Sequence, residues 1–159
     1  YSAKGLRIKD KPLLDSITSS IHFVGPLVFA LTLANVNLGE PAIFISIVAF
    51  TLWGAASHAF GAVQDVVADR VGGIASIATV IGARSTVRLS VVAYAIAAVI
   101  LTNLTWPYSL AALTAVPYML IVAPFWNITD ATCERANAGW KKFIWLNFIA
   151  GAIVTLLVI

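Results

Sequence analysis

The chain has 159 residues, of which 60% are hydrophobic and 11% charged, against about 25% charged in an ordinary soluble domain. A water-soluble fold of that composition would expose large apolar patches, so a lipid-embedded helical bundle is expected instead. The net charge of +3 is no nucleic-acid footprint, because the cations sit in short polar stretches bordering apolar runs, where they set topology and meet anionic headgroups or substrate.

The chain starts at Tyr1 rather than Met, and its first sixteen residues are charged and turn-rich, without the apolar core of a signal peptide. It reads as a piece of a longer protein, opening inside a loop. Lys4, Arg7, Lys9 and Lys11 stand just before the first apolar run. Such a cluster serves as a positive-inside anchor or as a cationic wall for a diphosphate, and the residues alone leave both open. Tyr1 could add a hydroxyl beside a reacting carbocation.

Five spans follow, at about 17–34, 42–60, 87–104, 107–125 and 143–159, each close to the ~20 residues that cross a hydrocarbon core. The ten Lys and Arg residues lie before span one, between spans two and three, and between spans four and five. The remaining connections carry Glu40 as their one charge. Basic loops stay cytoplasmic, which places the C-terminus outside and the chemistry on the inner side. Trp106 and Tyr108 fall at the outer boundary, and Trp126, Trp140 and Trp145 near the inner one, as aromatic belts do. Cys133 is the single cysteine, so the chain can form no internal disulfide and no thiolate cage; an inert buried thiol is expected.

The most informative local sequence runs from His58 to Ser76, continuing span two into the second inner loop. Asp65 and Asp69 are four apart and share a helix face; on one continuous helix His58 projects between them, two turns deeper. Like charges at that spacing repel, more strongly beside lipid. A cation would reverse the penalty: Mg²⁺ takes one or two carboxylates, waters and phosphate oxygens. Arg70 and Arg84 are placed to offset remaining phosphate charge, and Gly72–Gly73 to end the helix. The bland alternative is a pair of solvated loop acids beside Arg70. His58 reads as a packed, hydrogen-bonded histidine rather than a ligand, and Gln64 as a carboxylate orienter or a helix cap. Asn127, Asp130, Glu134 and Arg135 read as solvated polar surface in preference to a lid.

These motifs resemble the C-terminal half of a UbiA-type intramembrane prenyltransferase. The resemblance rests on the YSxxxLRxKxxPxLD start, the segment carrying Gln64, Asp65, Asp69, Arg70, Gly73, Ile74, Ser76, Ala78, Thr79 and Gly82, and the five spans. The stretch from Trp53 to Asp65 looks most like the lycopene elongase branch, which adds five-carbon units to lycopene on the way to C50 carotenoids. What the resemblance implies is a single all-α transmembrane domain over residues 1–159. It would be part of a nine-helix fold whose other four spans and first Asp-rich motif are not in this chain, so that this chain alone is expected to be inactive. It further implies Mg²⁺ held by Asp65 and Asp69, dimethylallyl diphosphate as donor, and Arg70, Lys4, Arg7 and Lys9 as phosphate contacts. Tyr1 would face the cation, His58 and Gln64 would border substrate, and the apolar faces would hold lycopene. A plasma-membrane location and a carotenoid cyclase partner complete the expectation. Where the family has Pro-Pro, this chain has Lys4-Gly5, which changes the shape of that loop. The alternatives are a quinone, haem or chlorophyll precursor as acceptor, a transporter segment, which would want ionisable groups at mid-membrane beyond His22 and His58, and a non-catalytic assembly subunit.

Overall fold

A computed structural model describes residues 11–158. Among them no strand occurs, and five segments are long and apolar enough to cross a membrane: Leu14–Leu33, Pro41–Val63, Ala83–Leu101, Tyr108–Phe125 and Asp130–Leu157. The helices are α1 (Leu14–Leu33), α2 (Pro41–Val63), two short ones, α3 (Val66–Val71) and α4 (Ile77–Ile81), then α5 (Ala83–Leu101), α6 (Ala115–Val122) and α7 (Asn137–Val158). The fourth crossing is mixed: 3₁₀ turns at Tyr108–Thr114 and Ala123–Phe125 flank α6. Pro117 and Pro124 contribute no N–H to this crossing. Pro26 lies inside α1, which membrane helices tolerate when neighbours satisfy the freed carbonyl.

All five expected spans are present, and their ends differ in one consistent way. α2 runs to Val63, α5 begins at Ala83, and α7 begins at Asn137, six residues before the expected Phe143. Charge marks where a span leaves the hydrocarbon, not where its backbone stops being helical, so Arg84, Arg88, Lys141 and Lys142 are all helical.

Successive spans are neighbours: α1 lies against α2, α2 against α5, α5 against the fourth crossing, and that crossing against α7. The shared core is built from Phe60, Val63, Val87, Tyr94, Tyr118, Val122 and Phe143. Small residues set the approach of the helices. At Gly54 an added Cβ would stand 2.9 Å from the Ser20 Cβ, and at Gly139 it would stand 2.6 Å from the Phe125 ring. Facing outward are Phe29, Val99, Leu120 and Phe148, each about two-thirds exposed or more, as lipid-facing side chains are.

Candidate active site

The basic end of the bundle is organised by carboxylates that cap helices belonging to other segments. Asp15, in the first turn of α1 and 1% exposed, accepts a hydrogen bond from Ile77 N at 2.9 Å through Oδ2, capping α4 from outside. Asp130 accepts from Ala83 N at 2.7 Å through Oδ1, capping α5, and pairs through Oδ2 with Arg70 Nη1 at 2.6 Å. The Arg70 guanidinium also donates from Nε and Nη2 to the Thr79 carbonyl, at 3.0 and 2.8 Å. Arg70 thus ties α3 to α4 and to the 130-loop while its side chain stays 43% exposed, with its remaining N–H donors open to a ligand. Asp130, expected as plain polar surface, is instead a joint between three segments.

Local sequence explains the shape of this loop. Gly73 takes φ +67°, and its N–H and that of Ile74 bond back to the carbonyls of Arg70 and Asp69 at 3.3 and 2.8 Å. This paired closure ends α3 where the two glycines predict. Ser76 then opens α4 with a reciprocal capping box to Thr79. Gly82 takes φ +83°, and a Cβ there would sit 3.3 Å from Asp130 Oδ1. Much of the segment from Gly73 to Gly82 is therefore architecture that ends α3 and starts α4 and α5.

Asp65 is the N-cap residue of α3, and the Asp69 N–H donates to its carbonyl at 2.8 Å. The pair stays one helical turn apart, as the spacing predicts, but not on an extension of α2. That helix stops at Val63 with Gln64 as its cap, so the projection that sets His58 between the two acids does not hold. The His58 Nδ1 meets Ser16 Oγ on α1 at 3.2 Å. Gln64 is the expected helix cap, and its Oε1 accepts from Asn137 Nδ2 rather than facing a carboxylate. Cys133 is buried, with Sγ 3.5 Å from the Gln64 carbonyl. Tyr1, Lys4, Arg7 and Lys9 lie outside the described residues.

Among the described residues, Asp65 and Asp69 form no side-chain hydrogen bond or ion pair, in contrast to Asp15, Asp130 and Glu40, whose carboxylate receives Ile43 N at 3.0 Å. Desolvation, and then the Asp65 charge, hold the Asp69 carboxyl above the usual carboxylate range. A divalent cation would relieve that second cause. No group of three or more metal-binding side chains occurs among the described residues, so the fit is that of a half-site: two carboxylates, with other oxygens from water or substrate.

Deeper in the bundle lies an apolar cavity of about 820 Å³, walled by Phe23 and Leu27 of α1, Trp53 of α2, Tyr94 and Ala97 of α5, and Tyr118 of α6, with Val154 from α7. These positions run from the middle of their helices toward the ends away from α3. Sequence reading did not name these walls, because lipid-facing and cavity-facing positions are equally apolar. The one cue is a set of aromatic residues with polar tips: Tyr94 bonds Ser57 at 2.9 Å and Tyr118 bonds Asn147 at 2.7 Å.

A model of the UbiA prenyltransferase family matches residues 1–156. Over 159 residues the chain is 48% identical to the lycopene elongase/hydratase of Corynebacterium glutamicum, covering all of this chain and 55% of that protein. It is 48% identical over 160 residues to the C(50) beta-cyclic carotenoids biosynthesis protein LbtBC of a Dietzia species, covering 37% of it. With the lycopene elongase/hydratase of Haloarcula japonica it shares 28% over 160 residues, half of that protein. The chain thus spans about half the length, or less, of these curated relatives. No solved structure matches. The chain belongs to the UbiA prenyltransferase family.

Proposed function

We propose that this UbiA-family chain is the C-terminal part of a membrane prenyltransferase that transfers a dimethylallyl group from dimethylallyl diphosphate to an end of lycopene, giving C45 and C50 carotenoids. The observation that carries the reading is the uncommitted Asp65–Asp69 pair at the basic end of a bundle that also holds an apolar cavity. The names of the relatives supply the acceptor.

Asp65 and Asp69 would hold Mg²⁺, which when bound neutralises diphosphate charge and so eases departure of that group. Arg70, already fixed by Asp130 and Thr79, points its remaining donors at the same phosphates. In the N-terminal segment Lys4, Arg7 and Lys9 would add to this cationic wall and Tyr1 would face the allylic cation. The apolar cavity, within the ~300–1,000 Å³ range of ordinary ligand sites, takes part of the polyene and keeps water from the allylic cation until a terminal double bond attacks it. The first Asp-rich motif would come from the remainder of the longer protein, with its further spans completing one domain. The basic loops would face the cytoplasm across the plasma membrane, with a carotenoid cyclase as downstream partner.

The test is mass spectrometry of pigments from lycopene-producing cells carrying the complete reading frame. New carotenoids heavier by one or two five-carbon units are expected. Unchanged lycopene, with the protein present in the membrane, would move the acceptor to a quinone or tetrapyrrole precursor.

A further inference from the structure

The inner start of α1 buries an unusual amount of polarity for a membrane helix. Asp15, Ser16 and Ser20 are each 3% exposed or less. Asp15 spends one oxygen on Ile77 N. Its Oδ1 is the one buried side-chain atom, among the described residues, without a hydrogen-bond partner. An unpaired buried carboxylate oxygen is costly and calls for an explanation. Its neighbours supply one. Ser16 engages the His58 Nδ1 at 3.2 Å, and the Asp15 carboxylate lies close enough to act electrostatically on the same ring. The described hydrogen bond of His58 uses Nδ1 and leaves Nε2 uncommitted.

Position fits a reacting centre. At 1.5 Å per residue His58 stands roughly 7–8 Å along the α2 axis from Val63, where that helix ends just before Asp65, so it lies deeper than the carboxylates. Ser16, Ser20, Phe23 and Leu27 follow the 3–4 residue spacing of one helix face, and Phe23 and Leu27 line the apolar cavity. The polar group therefore lies between the carboxylates and the cavity, where the alkylated acceptor would carry its positive charge.

Resting on the prenyl-transfer reading above, we propose that His58 is the base that takes the last proton of the reaction, with Ser16 fixing its ring through Nδ1 and Asp15 offsetting the imidazolium charge. Attack by the terminal double bond leaves a tertiary carbocation. In elimination, the electron pair of an adjacent C–H bond becomes the new C=C bond and its proton passes to Nε2. In hydration, a water lone pair forms the C–O bond and Nε2 takes the proton from that oxygen. The electrons of the broken C–O bond leave with diphosphate, so nothing is oxidised or reduced. Burial makes an imidazolium costly, and the Asp15 carboxylate offsets part of that cost, which gives the unpaired oxygen its use.

The experiment compares the wild-type full-length protein with His58→Gln and Ser16→Ala in vesicles holding lycopene, supplied with Mg²⁺ and dimethylallyl diphosphate. Turnover, KM for the diphosphate and the ratio of hydroxylated to dehydrated product are measured. Loss of a general base costs about 100-fold or more. His58→Gln is expected to lower kcat by that factor with KM within about twofold. Ser16→Ala is expected to lower it less and to shift the product ratio, which a purely structural contact would not move. Unchanged rate and ratio in His58→Gln would overturn the assignment and hand the proton to the departing diphosphate. A fall in both variants that follows folded-protein yield or diphosphate KM, with the ratio unmoved, would reduce the cluster to a helix tie. If the wild type makes no elongated carotenoid, the prenyl-transfer reading itself fails, and this assignment with it.

Discussion

The two ends of the bundle are held by different forces. At the basic end, position comes from directional bonds: Asp15 and Asp130 cap α4 and α5, Ser76 and Thr79 close a capping box, and Arg70 ties three segments. Toward the far end the cavity walls meet through ring faces, with Tyr94 stacked on Tyr118 at 5.4 Å and Trp53 edge-on to Tyr118 at 5.6 Å. The first kind of site depends on charge and hydrogen-bond geometry, the second on shape and packing. An amide in place of a carboxylate keeps the shape and loses the charge. A bulky residue in place of a small one keeps the polarity and loses the space. Substitutions of these two kinds should separate the ends.

The largest effect is expected from Asp65→Asn in the full-length protein. It removes half of the uncommitted pair without disturbing a bond the fold uses, so turnover should fall about 100- to 1,000-fold, of the order seen when one charge-stabilising group is lost. Thermal stability should hardly change. Full activity in this variant would dissolve the distinction between committed and uncommitted carboxylates. Next comes Gly54→Ala. The added methyl would stand 2.9 Å from Ser20 Cβ and 3.2 Å from Ser20 Cα, so α1 and α2 must part, at about 1–3 kcal/mol for overpacking. A lower midpoint in detergent unfolding checks it. Ala97→Phe follows: Ala97 is 3% exposed and lines the cavity, so the ring fills the space proposed for the acceptor. The acceptor KM should rise roughly tenfold, about 1.4 kcal/mol, with Mg²⁺-dependent diphosphate binding unchanged. If diphosphate binding weakens in parallel, the two ends are one site.

The architecture was legible because lipid imposes a coarse grammar: long apolar runs, basic connections and small residues at close contacts. The Asp65–Asp69 spacing and the Gly72–Gly73 stop could be read for the same reason, since i to i+4 geometry and left-handed caps are local. What escaped was tertiary. Nothing in the sequence says that Asp15 turns away from its own helix to cap α4, or that Asp130 caps α5 while holding Arg70. A carboxylate that caps a distant helix carries no local signature. His58 was misplaced by a local rule applied too far: the helical projection assumed continuity past Gln64, and α2 ends there. The cavity walls were invisible because in a membrane protein both faces of a helix are greasy.

The smallest expected effect tests the far end most finely. Tyr118 is 2% exposed, and its hydroxyl donates to Asn147 Oδ1 at 2.7 Å. Tyr118→Phe removes that bond and keeps the ring contacts with Tyr94, Trp53 and Phe143. Hydrogen bonds between membrane helices average about 0.6 kcal/mol, and Asn147 lines the cavity, where its amide can find another partner. The unfolding midpoint should fall by only about 1–3 °C, with the acceptor KM within about twofold. A larger loss would mean that the cavity, like the basic end, is positioned by directional bonds, because removing one oxygen from an intact aromatic stack changes little of its packing.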